Sequence, residues 1–146
     1  MSQIFVNTDN TNPKDKLYTA QMAGENAAAV EAVMQKVVVK VIGKNPGFTT
    51  AKTVNPRGYS IRLKISNLQQ SPAETKCTVS GEVVRYPNTH SSIQRGGGEA
   101  MVTTGMSGSA TATGKGKFAV IDCVEAIAES LVAKTVPVMR TDMTKR

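Results

Sequence analysis

The chain has 146 residues, room for one ordinary domain with its own core. Lys and Arg number 18 against 11 Asp and Glu, giving +7 and an isoelectric point near 9.6, while aromatics are 4% and Trp is absent. One histidine, His90, excludes a His-based metal cage, and two cysteines, Cys77 and Cys123, exclude a Cys-rich zinc module or a secreted disulfide scaffold.

In chain order, residues 1–16 are polar and Asn/Thr-rich and read as a flexible N-terminal arm or a short strand. Over residues 17–36, Ala20, Ala23, Ala27, Val30 and Met34 recur at spacings of three and four, which predicts an amphipathic helix. Residues 37–42 either extend it or form a strand; their β-branched density favours the strand. Gly43-Lys44-Asn45-Pro46-Gly47 stops either element. A strand is expected over 48–54. In the next, Tyr59, Ile61, Leu63 and Ile65 alternate with Ser60, Arg62, Lys64 and Ser66, burying one face and presenting two cations on the other. Residues 67–72 read as a turn, after which Cys77, Val79, Gly81 and Val83 alternate as an antiparallel partner.

Residues 87–100 read as a mobile loop. Residues 101–113, small and uncharged, predict a strand that something approaches closely, a helix on one face or a ligand on the other. Phe118, Ile121, Val124, Ala128, Leu131 and Val132 mark a second amphipathic helix, closed by Pro137, with a basic tail at 141–146. The expected fold is α+β: an antiparallel sheet of about four strands, two amphipathic helices packed on one face, order α-β-β-β-β-α, the other face partly free. Residues 17–140 form its single domain.

The charge is uneven. Residues 1–35 sum to −2, residues 36–95 carry ten cations against two anions, and residues 96–146 sum to +1. The expected sheet and its loops therefore hold the excess, which fits a nucleic-acid surface better than solubilisation alone. The candidate phosphate contacts are Lys52, Arg57, Arg62, Lys64, Lys76 and Arg85, with Lys115 and Lys117 before the second helix. Tyr59 shares the parity of the apolar face, so Tyr86 is the better stacking candidate, and Arg95, in Arg95-Gly96-Gly97-Gly98, is placed to close over a bound strand.

Thr113-Gly114-Lys115-Gly116-Lys117 lacks Walker A spacing, and His90 beside Ser91 and Ser92 has no paired carboxylate, so no enzyme is expected. Cys77 and Cys123 read as buried free thiols. No stretch has the roughly 20 apolar residues of a membrane span, and the N-terminus does not read as a signal peptide, so a cytoplasmic protein is expected.

Lys115-Gly116-Lys117-Phe118-Ala119-Val120 resembles the Lys-Gly-Lys-Ala-Ala-Leu signature of Whirly-type single-stranded nucleic-acid-binding proteins, with Phe118 in place of the first alanine. In that family the signature lies on a strand and helps binding and assembly. The whole-chain character, a small basic α+β domain without an enzyme signature, resembles the chimallin C-like RNA-binding proteins of jumbo bacteriophages. That resemblance implies a homo-oligomeric protein binding phage mRNA in a bacterial host. The element order also resembles the anticodon-binding-like domains of bacterial envelope proteins, against which the missing signal peptide argues.

The expected function is non-enzymatic binding of RNA or single-stranded DNA, without cofactor, metal, small-molecule substrate or membrane. The rival is a structural or assembly protein, a phage shell or virion component, whose strand 101–113 is the contact surface.

Overall fold

A computed structural model describes residues 3–11, 13, 16–87 and 101–146. Three long strands dominate it: β4 (Gly58–Gln70), β5 (Glu74–Tyr86) and β6 (Met101–Thr113), each of 13 residues and antiparallel in sequence. Three short strands complete a six-stranded sheet. β1 (Ile4–Asn7) lies parallel to both β4 and β3 (Phe48–Thr49), and β2 (Tyr18–Thr19) runs parallel to β4 farther along the same edge. The path β3-β1-β4-β5-β6 is thus mixed and larger than the four-stranded antiparallel sheet expected, although the α+β class is as expected.

The two helices are α1 (Ala27–Gly43) and α2 (Lys117–Thr144). They pack against each other and onto the sheet face that carries Tyr59, Ile61, Leu63, Ile65, Cys77, Val79 and Val83, all buried in one apolar cluster. Period-two alternation sends one parity of each strand into this core and the other outward. Gly108 lets α2 lie close. A methyl at Gly108 would stand 3.0 Å from Ile127, so of the two readings of the small-residue strand, the approaching helix is present.

Several elements differ from expectation, each for a physical reason. Ile4–Asn7 is a strand with Phe5 and Val6 buried rather than a free arm. Its contact with β4 depends on Gly58, where any Cβ would overlap the carbonyl of Phe5. Residues 17–26 are not regular α-helix. Leu17 accepts from the Leu63 amide at 2.7 Å, Tyr18–Thr19 joins the sheet, and Gly24 at φ +57° breaks the 3-10 turn that follows.

Residues 37–42 are helical. Val30, Met34, Val37, Val38 and Ile42 fall on one buried helical stripe, and burying each is worth about 1.5–3 kcal/mol, which outweighs a β-preference spanning about 1 kcal/mol. The 48–54 strand shrinks to two residues. β4 continues through a bulge between Ile65 and Asn67 to Gln70, so the turn is confined to Ser71–Ala73. Pro137 does not close α2: Met139 and Asp142 beyond it are buried and hold the last turns. The expected basic tail belongs to that ordered end, with Arg146 donating to the Gly58 carbonyl at 2.8 Å.

Cys77 and Cys123 are joined in a disulfide linking β5 to α2, not held as free thiols. Periodicity placed both in the core, but only the fold shows that the inward position on β5 meets the first third of α2. A bridge closing 46 residues restricts the unfolded chain and contributes about 2–4 kcal/mol. Denatured, unreduced protein should therefore show no titratable thiol, and reduction should lower stability by about that amount in chemical denaturation. Two free thiols per chain would contradict the bridge.

Candidate nucleic-acid interface

Beyond the buried Ser60–Val84 pair, the outward parity of the three long strands builds a polar face that neither helix covers. Register sets Lys64 beside Ser80 and Ser107, Asn67 beside Thr78 and Ser109, and Gln69 beside Lys76 and Thr111. Toward one end, Lys16, Thr19, Arg62, Lys64, Ser80, Glu82 and Ser107 line a groove of about 480 Å³. Farther along, Asn67, Gln69, Lys76, Thr78, Ser109 and Thr111 line a shallower one of about 350 Å³.

Arg62 donates to Glu82 at 3.2 Å, Lys76 lies 3.4 Å from Glu74, and Lys16 lies 3.1 Å from Glu31. Lys64 is exposed and has no carboxylate in ion-pair range among the described residues. Hydroxyls join the strands, with Thr78 and Ser109 at 2.7 Å and Ser80 donating to Ser66 at 3.0 Å. The face thus offers the exposed Lys64, cations paired with Glu82, Glu74 and Glu31, and hydroxyl groups, a chemistry suited to the oxyanions of a polymer backbone. Among the described residues no cluster of three or more His, Cys, Asp or Glu could hold a metal ion.

The expected contacts are only partly brought together. Arg62, Lys64 and Lys76 share the open face. Arg85 belongs to the helix side: its Nε and Nη2 donate to Asp142 at 3.0 and 2.8 Å, and Tyr59 donates to the same carboxylate at 2.7 Å. Tyr59 is therefore core, as its parity indicated. Tyr86 is half-buried with its ring 5.2 Å from Phe5, so its stacking partner is internal. Arg57 lines a separate cavity of about 470 Å³ with Phe5, Val54 and Met143, and Lys52 lies in the same connection between β3 and β4. Lys115 and Lys117 are exposed in and just after the turn that follows β6. Arg95 and almost all of the 87–100 loop lie outside the described residues.

The charge excess is also redistributed: Lys36 and Lys40 stand on α1, Lys44 caps it, and Lys40 pairs with Glu129 of α2 at 2.6 Å. Two residues of interest were missed. Lys16 reaches the groove only because residues 18–19 pair in parallel with β4, a long-range contact with no local signal. Phe118, assigned to the core by its place among apolar residues, is 78% exposed between Lys117 and the buried Ala119. Its position at the first turn, before α2 reaches the sheet, was the available clue.

No family model matches the chain, and no curated protein matches it in sequence. In structure, it is similar to a hypothetical protein from Chlamydia trachomatis, with a TM-score of 0.53 at 7% identity over 92% of this chain and 96% of that one. That likeness shows the fold alone. A candidate lipoprotein from Caulobacter crescentus aligns at 0.41 and 12% identity over 89% and 91% of the two chains. A dodecameric PelC from Paraburkholderia phytofirmans aligns at 0.39 and 12% identity over 94% and 86%. Among the described residues no helix is long and apolar enough to cross a membrane.

The helix-side cluster generates a paired prediction. Arg85 first, and then the Tyr59 hydroxyl, hold the Asp142 carboxyl below its ordinary range, while burial and then Asp142 push Tyr59 up to about 12. Because the folded pKa of Asp142 is depressed, its contribution is full above the ordinary carboxylate range and is lost as pH falls through the folded value. Asp142→Asn should cost about 2 kcal/mol at neutral pH and flatten the stability profile below about pH 4. Tyr59→Phe should destabilise. Tyr18→Phe should be neutral or stabilising, because the buried Tyr18 hydroxyl has no partner among the described residues. Thermal melts across pH check all three; an unchanged acid limb in Asp142→Asn counts against the ion pair.

Proposed function

We propose that the chain binds single-stranded nucleic acid, RNA or DNA, without sequence preference and without catalysis, along the open face of its sheet. The observation that carries this is the groove holding Arg62 and Lys64 among hydroxyl residues, on a face that neither helix covers. Lys76 extends the line of cations along the strands. Lys115 and Lys117 are exposed beyond the end of β6, in the turn and at the start of α2, where exposed Phe118 offers the aromatic surface that Tyr86 does not. The Cys77–Cys123 bridge weighs against the cytoplasmic expectation, since buried disulfides are uncommon in reducing compartments.

Three to five phosphate contacts predict a shallow salt response. For a single strand, log K should fall with log salt at a slope of about −2 to −3.5, or roughly 15- to 130-fold between 50 and 200 mM. Fluorescence anisotropy with a labelled 20-nucleotide oligouridylate and its thymidine counterpart measures it. Arg62→Glu with Lys64→Glu should weaken binding at least about tenfold at low salt, whereas Lys36→Glu on α1 should change it less than about twofold. No binding at low salt, or equal losses from the two changes, rejects the open face.

A further inference from the structure

The last strand of the sheet has an edge that nothing described covers. β6 pairs with β5 on one side and rests on α2, and its other main-chain edge faces outward at the end of the strand order. At 13 residues it is about twice the usual strand length. Natural edge strands are commonly blunted by charge, proline, a bulge or a covering element. β6 contains neither a charged residue nor a proline, whereas β4 presents Arg62 and Lys64, and β5 carries Glu74, Lys76, Glu82 and Arg85. Irregular register is confined to its first half, around Gly105 at φ +73°. From Met106 to Thr113 it pairs without interruption with Gly81 to Glu74.

We propose that this edge pairs with the same edge of a second copy of the chain, antiparallel about a two-fold axis, extending the sheet through both. Two-fold pairing sets a strand against itself, so a charged residue near the axis would meet its own charge. An uncharged strand is the composition that permits it. With the axis through Ser109, Ser109 meets its own copy and Ser107 meets Thr111 on the open side. On the helix side Gly108 meets Ala110 and Met106 meets Ala112, pairs of hydroxyls or of small and flexible groups. The chain's own β6 matches this edge in length and neutrality.

Apolar surface continues beside the edge. Met101 is 42% exposed, and Val102 shares a depression of about 350 Å³ with Pro137 and Val138. The axis stands perpendicular to the sheet, so both open faces turn the same way. The inference does not rest on nucleic-acid binding and holds or fails without it.

Light scattering coupled to size exclusion, with protein from about 1 to 100 µM, reads the mass. Wild type should reach the two-chain mass. Ser109→Glu and Ser109→Lys should each remain at the one-chain mass, because like charges would lie directly opposite, and an equal mixture of the two should recover the two-chain mass. That recovery also shows both variants are folded. A one-chain wild type at about 100 µM, a two-chain mass retained by either variant, or a mixture that stays at one chain overturns the proposal.

Discussion

The anchoring of α2 to the sheet at two points is the constraint on which the rest of the molecule depends. Near its start the Cys77–Cys123 bridge ties it to β5, and near its end Asp142 takes two hydrogen bonds from Arg85 and one from Tyr59. Between these points Val124, Ile127, Ala128, Leu131, Val132 and Met139 are buried. A 28-residue helix is about 42 Å long and a 13-residue strand about 43 Å, so α2 can run the length of the face it covers. The helix continues through Pro137 because the burial and the ion pair beyond it outweigh the lost backbone bond, which costs about 3 kcal/mol.

That one-sided coverage decides the character of the opposite face. With α1 and α2 both spent on the apolar parity of β4 and β5, the other parity, apart from the buried Ser60 and Val84, meets water and mixes Lys and Arg with Ser, Thr, Asn, Gln and the carboxylates of Glu74 and Glu82. The positive charge of the middle of the chain does not all arrive there. Part stands on α1, part in the connection before β4, and Arg85 is committed to Asp142. The proposed binding by the open face would therefore rely on a few cations supported by hydroxyls, with a modest electrostatic component. A second copy joined at β6 would double the cations presented on one side.

The long strands and the core were legible because they rest on local periodicity. The alternation of Tyr59, Ile61, Leu63 and Ile65, and of Cys77, Val79 and Val83, placed every one of those side chains correctly. What escaped was set by contacts distant in sequence. Residues 37–42 have strand-like composition and become helical because their apolar stripe continues that of Val30 and Met34. Tyr18–Thr19 carries no strand signal beyond its parallel partner. The same limit applies at the candidate site: Arg62 and Lys64 could be assigned to one face from alternation. Lys16 could not be placed beside them, and the loss of Arg85 to the helix side required knowing that α2 reaches as far as Asp142.

The central claim is that the uncovered sheet face, rather than the helical one, receives a polyanion. Amide chemical-shift mapping during titration with a short oligouridylate tests this most directly. The account predicts shifts clustered at Arg62, Lys64, Ser80 and Ser107 and continuing toward Lys76, with α1 and the exposed side of α2 unaffected. Shifts centred on Lys36, Lys40 and Lys44, or none at low salt, would contradict it.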